Sequence, residues 1–535
     1  MRKNLSPDFY PPPIIDEYYR NLSRCNDASD NSNNQLLNEA LKRVPLLNLE
    51  PSADNLPENS KNSHSLPAMN YFRYWQTSFG DYFLSVDTGE WALLSSNEFK
   101  SLLAVPIETE LLTKLKKNNI WLTDENIQKY ERRLRVKYGF LTEGPTLHII
   151  VVTSNCNLKC VYCQASAPTS PKIDMDKTTA KLVVDRIFES PSDSYIIEFQ
   201  GGEPMLNFPI VKFIIEYAEK LSAEGKKRIE FNLISNFTRV VTEKKLRFLI
   251  EHNVSICFSL DGPKNLHEGN RGKDYPFAFD ILLEILELYK NVWMSLKKEP
   301  VPLAALMTTT KATLPMYKSI IDQYVKLGFT KISLRQLTPL GNALENFSNI
   351  SYSAEEFFSF WKSSIEYILD LRSQGVDILD FYLELILTKL FGNESGFMDL
   401  RSPCGASYGQ IAYNYDGSIF SCDEGRMINN DDFKIGENSN IHLNNRLSSP
   451  QAIAVLNYSI AEQYHCDYCA FKPYCGVCPV LHKQQKGRMN INVLESDHCK
   501  IFKKMFAFII EKYVYDENAR DHFNNILLNI EWQKQ

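Results

Sequence analysis

Between residues 146 and 340 six apolar runs alternate with helical segments, and this alternation restricts the fold more than any other feature of the chain. The runs are TLHIIVVTS (146–154), YIIEFQ (195–200), IEFNLIS (229–235), VSICFSL (254–260), PLAALMTT (302–309) and KISLRQL (331–337). The first intervening helix carries Ala180, Val183, Val184, Ile187 and Phe188, and the second Ile210, Phe213, Ile214, Tyr217 and Leu221. Each set makes one apolar stripe at 3-4 spacing, as a helix packed on a sheet requires. Near-continuous apolar strands joined by single helices imply a parallel sheet covered by helices, an α/β core. In parallel barrels of this kind the chemistry lies at the C-terminal ends of the strands.

The first strand runs straight into CNLKCVYC, which places Cys156, Cys160 and Cys163 as CxxxCxxC. Three thiolates on one short loop can hold three irons of a [4Fe-4S] cube and leave the fourth iron open to a small molecule. A structural zinc site takes four closed ligands, and no fourth Cys or His lies nearby. Ordinary ferredoxin runs include a fourth Cys, because electron transfer has no need of an open position. The pattern, with Tyr162 before its last Cys, resembles the radical SAM superfamily. There the open iron chelates S-adenosylmethionine, and reductive cleavage yields a 5'-deoxyadenosyl radical that abstracts hydrogen. Six strand–helix units match the partial (β/α)6 TIM barrel of that superfamily.

The resemblance assigns residues at the later strand ends. Gly201-Gly202-Glu203-Pro204, after the second strand, is similar to the GGEP motif that holds the methionine amino group, its glycines admitting close backbone approach. Ser235 and Asn236, after the third, match the position whose polar side chain reaches the ribose or carboxylate. Ser259 and Arg271, with Asp261 between them, follow strand four. Ser259 and Arg271 would bind the carboxylate of S-adenosylmethionine, since a guanidinium can pair bidentately with it. From the residues alone Asp261 is equally a turn residue beside Gly262. Leu334, on strand six, is expected to pack against adenine. Cys257, inside strand four, reads as a small buried hydrophobe.

Seven further cysteines follow: Cys404, Cys422, Cys466, Cys469, Cys475, Cys478 and Cys499. Their order resembles the SPASM domain, which carries auxiliary [4Fe-4S] clusters in peptide-modifying radical SAM enzymes. That resemblance would give one cluster to Cys466, Cys469, Cys475 and Cys499 and another to Cys404, Cys422 and Cys478. Two residues, where the family usually has three, separate Cys475 from Cys478, which leaves the partition open. Asp423 matches the position of a base in sulfatase-maturing relatives, suited to take the proton lost as a substrate radical is oxidised. The other reading of Asp423 is an exposed acid in the CDEGR loop.

Residues 1–67 are rich in Asn, Ser, Pro and charge and read as a mobile polar arm, in which Cys25 has no neighbouring ligand. Residues 68–142 show alternating strands, an Asp-Thr-Gly turn and a Ser-capped helix. This small α+β domain resembles a winged-helix peptide-recognition domain, or else is a structural cap on the barrel. The remaining divisions are the barrel at 143–342, a helical bridge at 343–400, the Cys-rich SPASM domain at 401–505 and a helical tail at 506–535.

The 535 residues carry a net charge of -6, which argues against a surface that tracks nucleic-acid phosphates. No run of about 18 apolar residues stands out, and the start MRKNLSPDFYPPP lacks an apolar signal region. Neither nucleic acid nor membrane is therefore expected as a partner, and the chain reads as cytoplasmic. Ten of its 12 cysteines fall into spaced clusters, which suits iron–sulfur ligation better than disulfides.

Longer runs, among them EGPTLHIIVVT, CVYCQAS, EFQGGEPMLNFP and YNYDGSIFSCDEGRM, resemble the B-type maturase of the His-Xaa-Ser radical SAM system. The resemblance implies a peptide substrate with His-Xaa-Ser repeats, a second radical SAM maturase as partner, and a reductant such as flavodoxin or ferredoxin. A formylglycine-forming sulfatase maturase and a non-catalytic electron-transfer or scaffold protein are the competing readings. The GGEP segment, Ser259 and Arg271 argue against the last, because electron transfer needs no cofactor ledge.

Overall fold

The computed structural model describes residues 68–102, 107–165, 172–238, 241–272, 275–392, 397–428, 430–437 and 442–533. The polar arm and Cys25 lie outside the described residues. The chain divides into two compact units, one reaching to Tyr138 and including Glu462–Tyr474, the other made of Gly139–Ala461 and Cys475–Gln535.

In the first unit β1 (Ala68–Met69) pairs antiparallel with β5 (Trp121–Leu122), while β2 (Phe72–Gln76), β3 (Tyr82–Val86) and β4 (Trp91–Leu94) form an antiparallel meander. The Asp87-Thr88-Gly89 turn joins β3 to β4, with Gly89 at φ +95. Ser95 then caps the helix Ser96–Ser101 in a capping box with Glu98, which satisfies backbone donors at the helix start. Phe72, Leu84, Val86, Leu94, Phe99, Leu111, Leu115 and Ile120 fill the core between sheet and helices.

The second unit is built on β6 (Leu147–Val151), β7 (Ser194–Gln200), β8 (Arg228–Ser235), β9 (Val254–Ser259), β10 (Ala304–Thr308) and β11 (Lys331–Arg335), all parallel and adjacent in chain order. All six coincide with the apolar runs of the sequence, β7 and β8 each starting one residue earlier. The sheet is wider than six strands, however. β12 (Leu379–Asp380) extends it in parallel beyond β11, and β13 (Gln410–Tyr413) lies parallel to β6 and continues antiparallel through β14 (Ile419–Phe420) and β15 (Lys434–Gly436), for ten strands among the described residues. Two-residue strands carry no readable period, and β13 is recruited from far along the chain to an edge that the six-unit pattern leaves unpaired.

Strand alternation divides the six-stranded core into two faces. Phe258 packs edge-on against Tyr289 of the helix Ala278–Lys297, with ring centroids 5.5 Å apart, which identifies the helix-covered face. Phe258 is in register with Ala305, and Ala305 with Ile332. Leu334, two residues beyond Ile332 and fully buried, shares that face. Its expected packing against adenine is therefore corrected: a one-residue step in a strand reverses the face, and Arg335 occupies the opposite one.

Candidate active site

The cysteine loop leaves β6 and is held by the ends of several other strands. Thr153 donates to Asp174 at 2.5 Å and accepts from the Asn155 N–H at 2.9 Å, which sets the root of the loop. The Val161 N–H donates to the Asn270 carbonyl at 2.9 Å and the Asn342 N–H to that of Cys163 at 2.8 Å. Asn157 donates to the Thr238 hydroxyl at 2.5 Å and accepts from Asn236 at 3.2 Å. Gly341, at φ +55, is obligatory here, because a Cβ would lie 2.2 Å from the Gln164 carbonyl oxygen. The sequence reading missed Asn270, Gly341 and Asn342, for which the only signal was their position after strands four and six.

The Cys156 thiol itself receives polar support. Cys156 Sγ accepts from the Leu158 N–H at 3.4 Å and from Asn236 Nδ2 at 3.8 Å. Burial pushes the Cys156 thiol up to about 12 and raises that of Cys160 as well, so metal ligation would be needed to draw off their protons. Among the described residues no three Cys, His, Asp or Glu side chains converge on the geometry of one ion. A cube takes each thiolate on a different iron, so three thiols of one loop, Cys156 with N–H···S support, fit it better than they fit a single zinc.

Gly201 and Gly202 make their closest approach to backbone. An ideal Cβ would lie 2.3 Å from the Thr153 oxygen at Gly201 and 2.0 Å from the Asn155 oxygen at Gly202. The Gly202 and Glu203 N–H groups donate to those same two carbonyls at 2.9 and 2.7 Å. Pro204 then opens a short 3-10 turn, Pro204–Asn207. Buried Glu203 accepts from Ser235 Oγ at 2.6 Å, the Asn236 N–H at 2.8 Å and the Met205 N–H at 3.0 Å. Desolvation raises its carboxyl above the usual range, against the pull of these donors. Ser235 thus braces Glu203, a contact the reading of Ser235 as a ribose or carboxylate ligand did not include.

After β9 the arrangement also differs from expectation. Arg271 Nη2 lies 2.9 Å from Asp261 Oδ1, and Tyr162 donates its hydroxyl to Asp261 Oδ2 at 2.5 Å. The Arg271 guanidinium also lies 5.4 Å from the Tyr162 ring centre. The Asp261 N–H donates to His267 Nδ1 at 3.3 Å, and burial lowers that imidazole to about 4, so it is neutral. Asp261, in the connection at Gly262, is therefore also a fully buried counter-ion, and Arg271 already has a carboxylate partner inside the protein. Ser259 is buried at the same strand end. Buried donors at Gln164 Nε2, Asn270 Nδ2 and Arg271 Nε have no protein partner. Unsatisfied buried donors are costly, and three of them beside the cysteine loop suit a ligand carboxylate.

A second group of thiols lies within the same unit. Cys404, Cys422 and Cys478 pack together with Phe433, Val455 and Val480. Cys422 caps the helix Asp423–Met427 and accepts from the Gly425 N–H at 3.3 Å. Burial raises all three thiols, Cys478 to about 12. Cys475 and Cys499 belong to this unit too, whereas Cys466 and Cys469 belong to the N-terminal unit. Cys257, partly buried on the face opposite the helices, is raised to about 12 by burial.

Asp423 is buried, and Arg426 donates to its Oδ1 through Nε at 3.1 Å and Nη2 at 2.9 Å. The exposed-acid reading of the CDEGR loop is thereby overturned. Its neighbour Glu424, which the sequence reading passed over, meets Arg335 of β11 at 3.3 Å. Burial first, then the charges of Asp399 and Asp423, push the Glu424 carboxyl up to about 8.

Residues 150–297 match the Radical SAM superfamily model. Over 203 residues the chain is 29% identical to an uncharacterised protein of Methanocaldococcus jannaschii, covering 37% of this chain and 65% of that one, just under two thirds of its length. It is 22% identical over 419 residues to the radical SAM cyclopropyl synthase TigE of Paramaledivibacter caminithermalis, covering 74% and 80% of the two chains. It is likewise 22% identical over 390 residues to a cysteine-type anaerobic sulfatase-maturating enzyme of Clostridium perfringens, covering 69% and 98%. The solved structure of native anSMEcpe with bound AdoMet and Cp18Cys peptide superposes with a TM-score of 0.57 at 21% identity, covering 72% of this chain and all of that one, and so shares the fold. No described helix is long and apolar enough to cross a membrane. Residues 150–297 of this chain thus match a Radical SAM superfamily domain, and among the proteins the chain resembles are a cyclopropyl synthase and a sulfatase-maturating enzyme.

Proposed function

We propose that the chain modifies a ribosomally made peptide or protein, with S-adenosylmethionine and a [4Fe-4S] cluster on Cys156, Cys160 and Cys163, and that auxiliary clusters on the later cysteines accept an electron. The observation that carries this reading is the pairing, in one unit, of the cysteine loop with the buried thiol group Cys404, Cys422 and Cys478. When bound and reduced, the first cluster would supply the electron that cleaves S-adenosylmethionine to the hydrogen-abstracting 5'-deoxyadenosyl radical. Glu203, braced by Ser235 and the Asn236 N–H, offers a buried anion to the methionine ammonium. Gln164, Asn270 and Arg271 offer unspent donors to its carboxylate, and Asp261 and Tyr162 orient Arg271. Ser259 is in reach of the same end by its place on β9, and the Asp423 oxygen not engaged by Arg426 would hold a proton released by substrate.

The peptide partner is supported by relatives that are a cyclopropyl synthase and a sulfatase-maturating enzyme. A His-Xaa-Ser repeat peptide, a second maturase and a flavodoxin- or ferredoxin-type reductant follow from the finer resemblance of the sequence, and a cytoplasmic location from its lack of long apolar runs. The three-stranded N-terminal sheet, with its short helices, is the candidate for holding a peptide leader.

Anaerobic reconstitution with iron and sulfide, followed by dithionite reduction, tests the reading. About twelve irons per chain, 5'-deoxyadenosine release and a mass change in a candidate peptide are expected. Full iron loading without 5'-deoxyadenosine would overturn it. The formylglycine alternative draws on buried Asp423 and predicts oxidation of a Cys-x-Pro or Ser-x-Pro sulfatase peptide by the same preparation.

A further inference from the structure

The loop carrying Cys466 and Cys469 is built into the N-terminal unit by contacts with residues almost 400 positions earlier in the chain. Arg73 of β2 is only 4% exposed. Its Nη1 pairs with Asp87 at 2.7 Å, and its Nε donates to the Asp467 carbonyl at 2.8 Å. The Tyr71 hydroxyl donates to the same carbonyl at 2.9 Å. Asp467 lies between the two cysteines, whose turn is closed by the Cys469 N–H donating to the Cys466 carbonyl at 3.1 Å. One residue past Cys469, the Ala470 carbonyl accepts from the buried Ser85 Oγ at 2.7 Å. Phe471 packs between Trp75 and Phe83, at 5.3 and 6.3 Å, and the Tyr474 hydroxyl donates to the Gly89 carbonyl at 2.9 Å.

The aromatic contacts alone would anchor the segment. A buried guanidinium is a costly addition, because removing a charge from water is repaid only by near-ideal partners. Here one partner is Asp87 and the other is the backbone between two cysteines. A cation at that place does two things for a cluster bound by those thiolates: it fixes the turn that presents them, and it favours the reduced, more negative form of the cluster. The donor set fits that group in kind, being two thiols on a CxxC turn whose Asp467 carbonyl is doubly hydrogen-bonded.

We propose that Arg73 is a positioning residue for an auxiliary iron–sulfur cluster, and that the N-terminal β-sheet is a required part of that cluster's site. The inference rests on the reading of Cys466 and Cys469 as cluster ligands. It gives the N-terminal unit a duty separate from any peptide recognition.

The test uses the full chain, reconstituted anaerobically, with iron content, loss of iron to a chelator and EPR-monitored redox titration as readouts. The double variant Cys466→Ser/Cys469→Ser should lose one auxiliary signal and so identify it. In Arg73→Met that signal should titrate at a lower potential, and its iron should be lost roughly tenfold faster or more. Ser85→Ala, which removes a mooring and no charge, should speed the loss of iron and leave the potential in place. A merely structural Arg73 would not produce that split. Arg73→Lys keeps a charge for Asp87 and decides the matter if the methionine variant does not fold: its potential should stay near the parent's while its iron is lost faster. Parent-like potential and chelation kinetics in both Arg73 variants would overturn the inference alone. Retention of every cluster signal in the double cysteine variant would overturn the ligand reading and the inference with it.

Discussion

The two groups of buried thiols in the second unit are held in contrasting ways. Cys156, Cys160 and Cys163 lie on one short loop, fixed by hydrogen bonds donated by Asn236 and Asn342 and one accepted by the Asn270 carbonyl, all three residues lying beyond different strands. Cys404, Cys422 and Cys478 come from separated stretches and meet in an apolar core with Phe433, Val455 and Val480. The first group stands among unspent polar donors, as a site that must receive a polar small molecule requires, while the second is shielded from water. Under the proposed function, the contrast would let one kind of ligand, the cysteine thiolate, serve two tasks through its surroundings: one environment suited to binding a cofactor, and one suited to insulating a cluster so that its potential is set by burial.

The largest expected effect separates the two groups directly. Cys160→Ala should abolish 5'-deoxyadenosine release, a loss of about a thousandfold or more. Cys422→Ala should spare much of that release while it removes peptide modification. Parallel assays of 5'-deoxyadenosine and peptide mass check both, and equal loss of release in the two variants would erase the division of labour.

Next comes the buried ion pair that distinguishes the first group. Asp261→Asn leaves Arg271 without its carboxylate and should cost about 3–5 kcal/mol, read from denaturant midpoints. Its KM for S-adenosylmethionine should rise because Arg271 loses its orientation.

A carboxylate outside both groups gives a reference for burial without a cofactor task. Asp380 accepts from Trp361 Nε1 at 3.0 Å and from the N–H groups of Leu383 and Leu334, yet desolvation pushes it up to about 6. The folded protein therefore binds its proton more tightly than the unfolded chain does. Stability should fall as pH rises from about 4 to about 6, by roughly 3 kcal/mol at most, and Asp380→Asn should flatten that slope in thermal or denaturant melts.

The smallest effect concerns backbone. Gly341→Ala drives a Cβ against the Gln164 carbonyl and should cost about 2 kcal/mol or more, together with iron from the first group. Gly375→Ala, at φ +85 with nothing within 4 Å of its Cβ, should cost only about 1 kcal/mol and no iron. Melts with paired iron assays check the difference, and equal iron loss would show that the cysteine loop does not depend on its support at Gly341.

Residues that act through nearest neighbours in the chain were readable from the sequence. The CxxxCxxC spacing, the six apolar runs, the Ser95 capping box and the Gly201-Gly202 pair each rest on local geometry, and each recurs in the structure. The glycines were read as making room for a ligand, and the atoms they approach are the carbonyls of Thr153 and Asn155. Asp261 could be read as a turn residue because nothing local shows that Tyr162, 99 positions earlier, would donate to it. Leu334 was assigned inward because an apolar residue at a strand end carries no mark of its face. Only the register chain from Phe258 through Ala305 and Ile332 supplies one. Glu424 was passed over for the same reason, since its partner Arg335 lies 89 positions away.

Local composition and spacing therefore settled the α/β core and the place of the cysteine loop after its first strand, because hydrophobic period and residue spacing are properties of short segments. Tertiary structure settled which carboxylate Arg271 faces, which strands widen the sheet, which of the later cysteines pack together and which unit carries Cys466 and Cys469. These are decided by charges and edges that must be satisfied once the chain is compact. Their free energy comes from desolvation, which no residue experiences until its distant partner has closed over it.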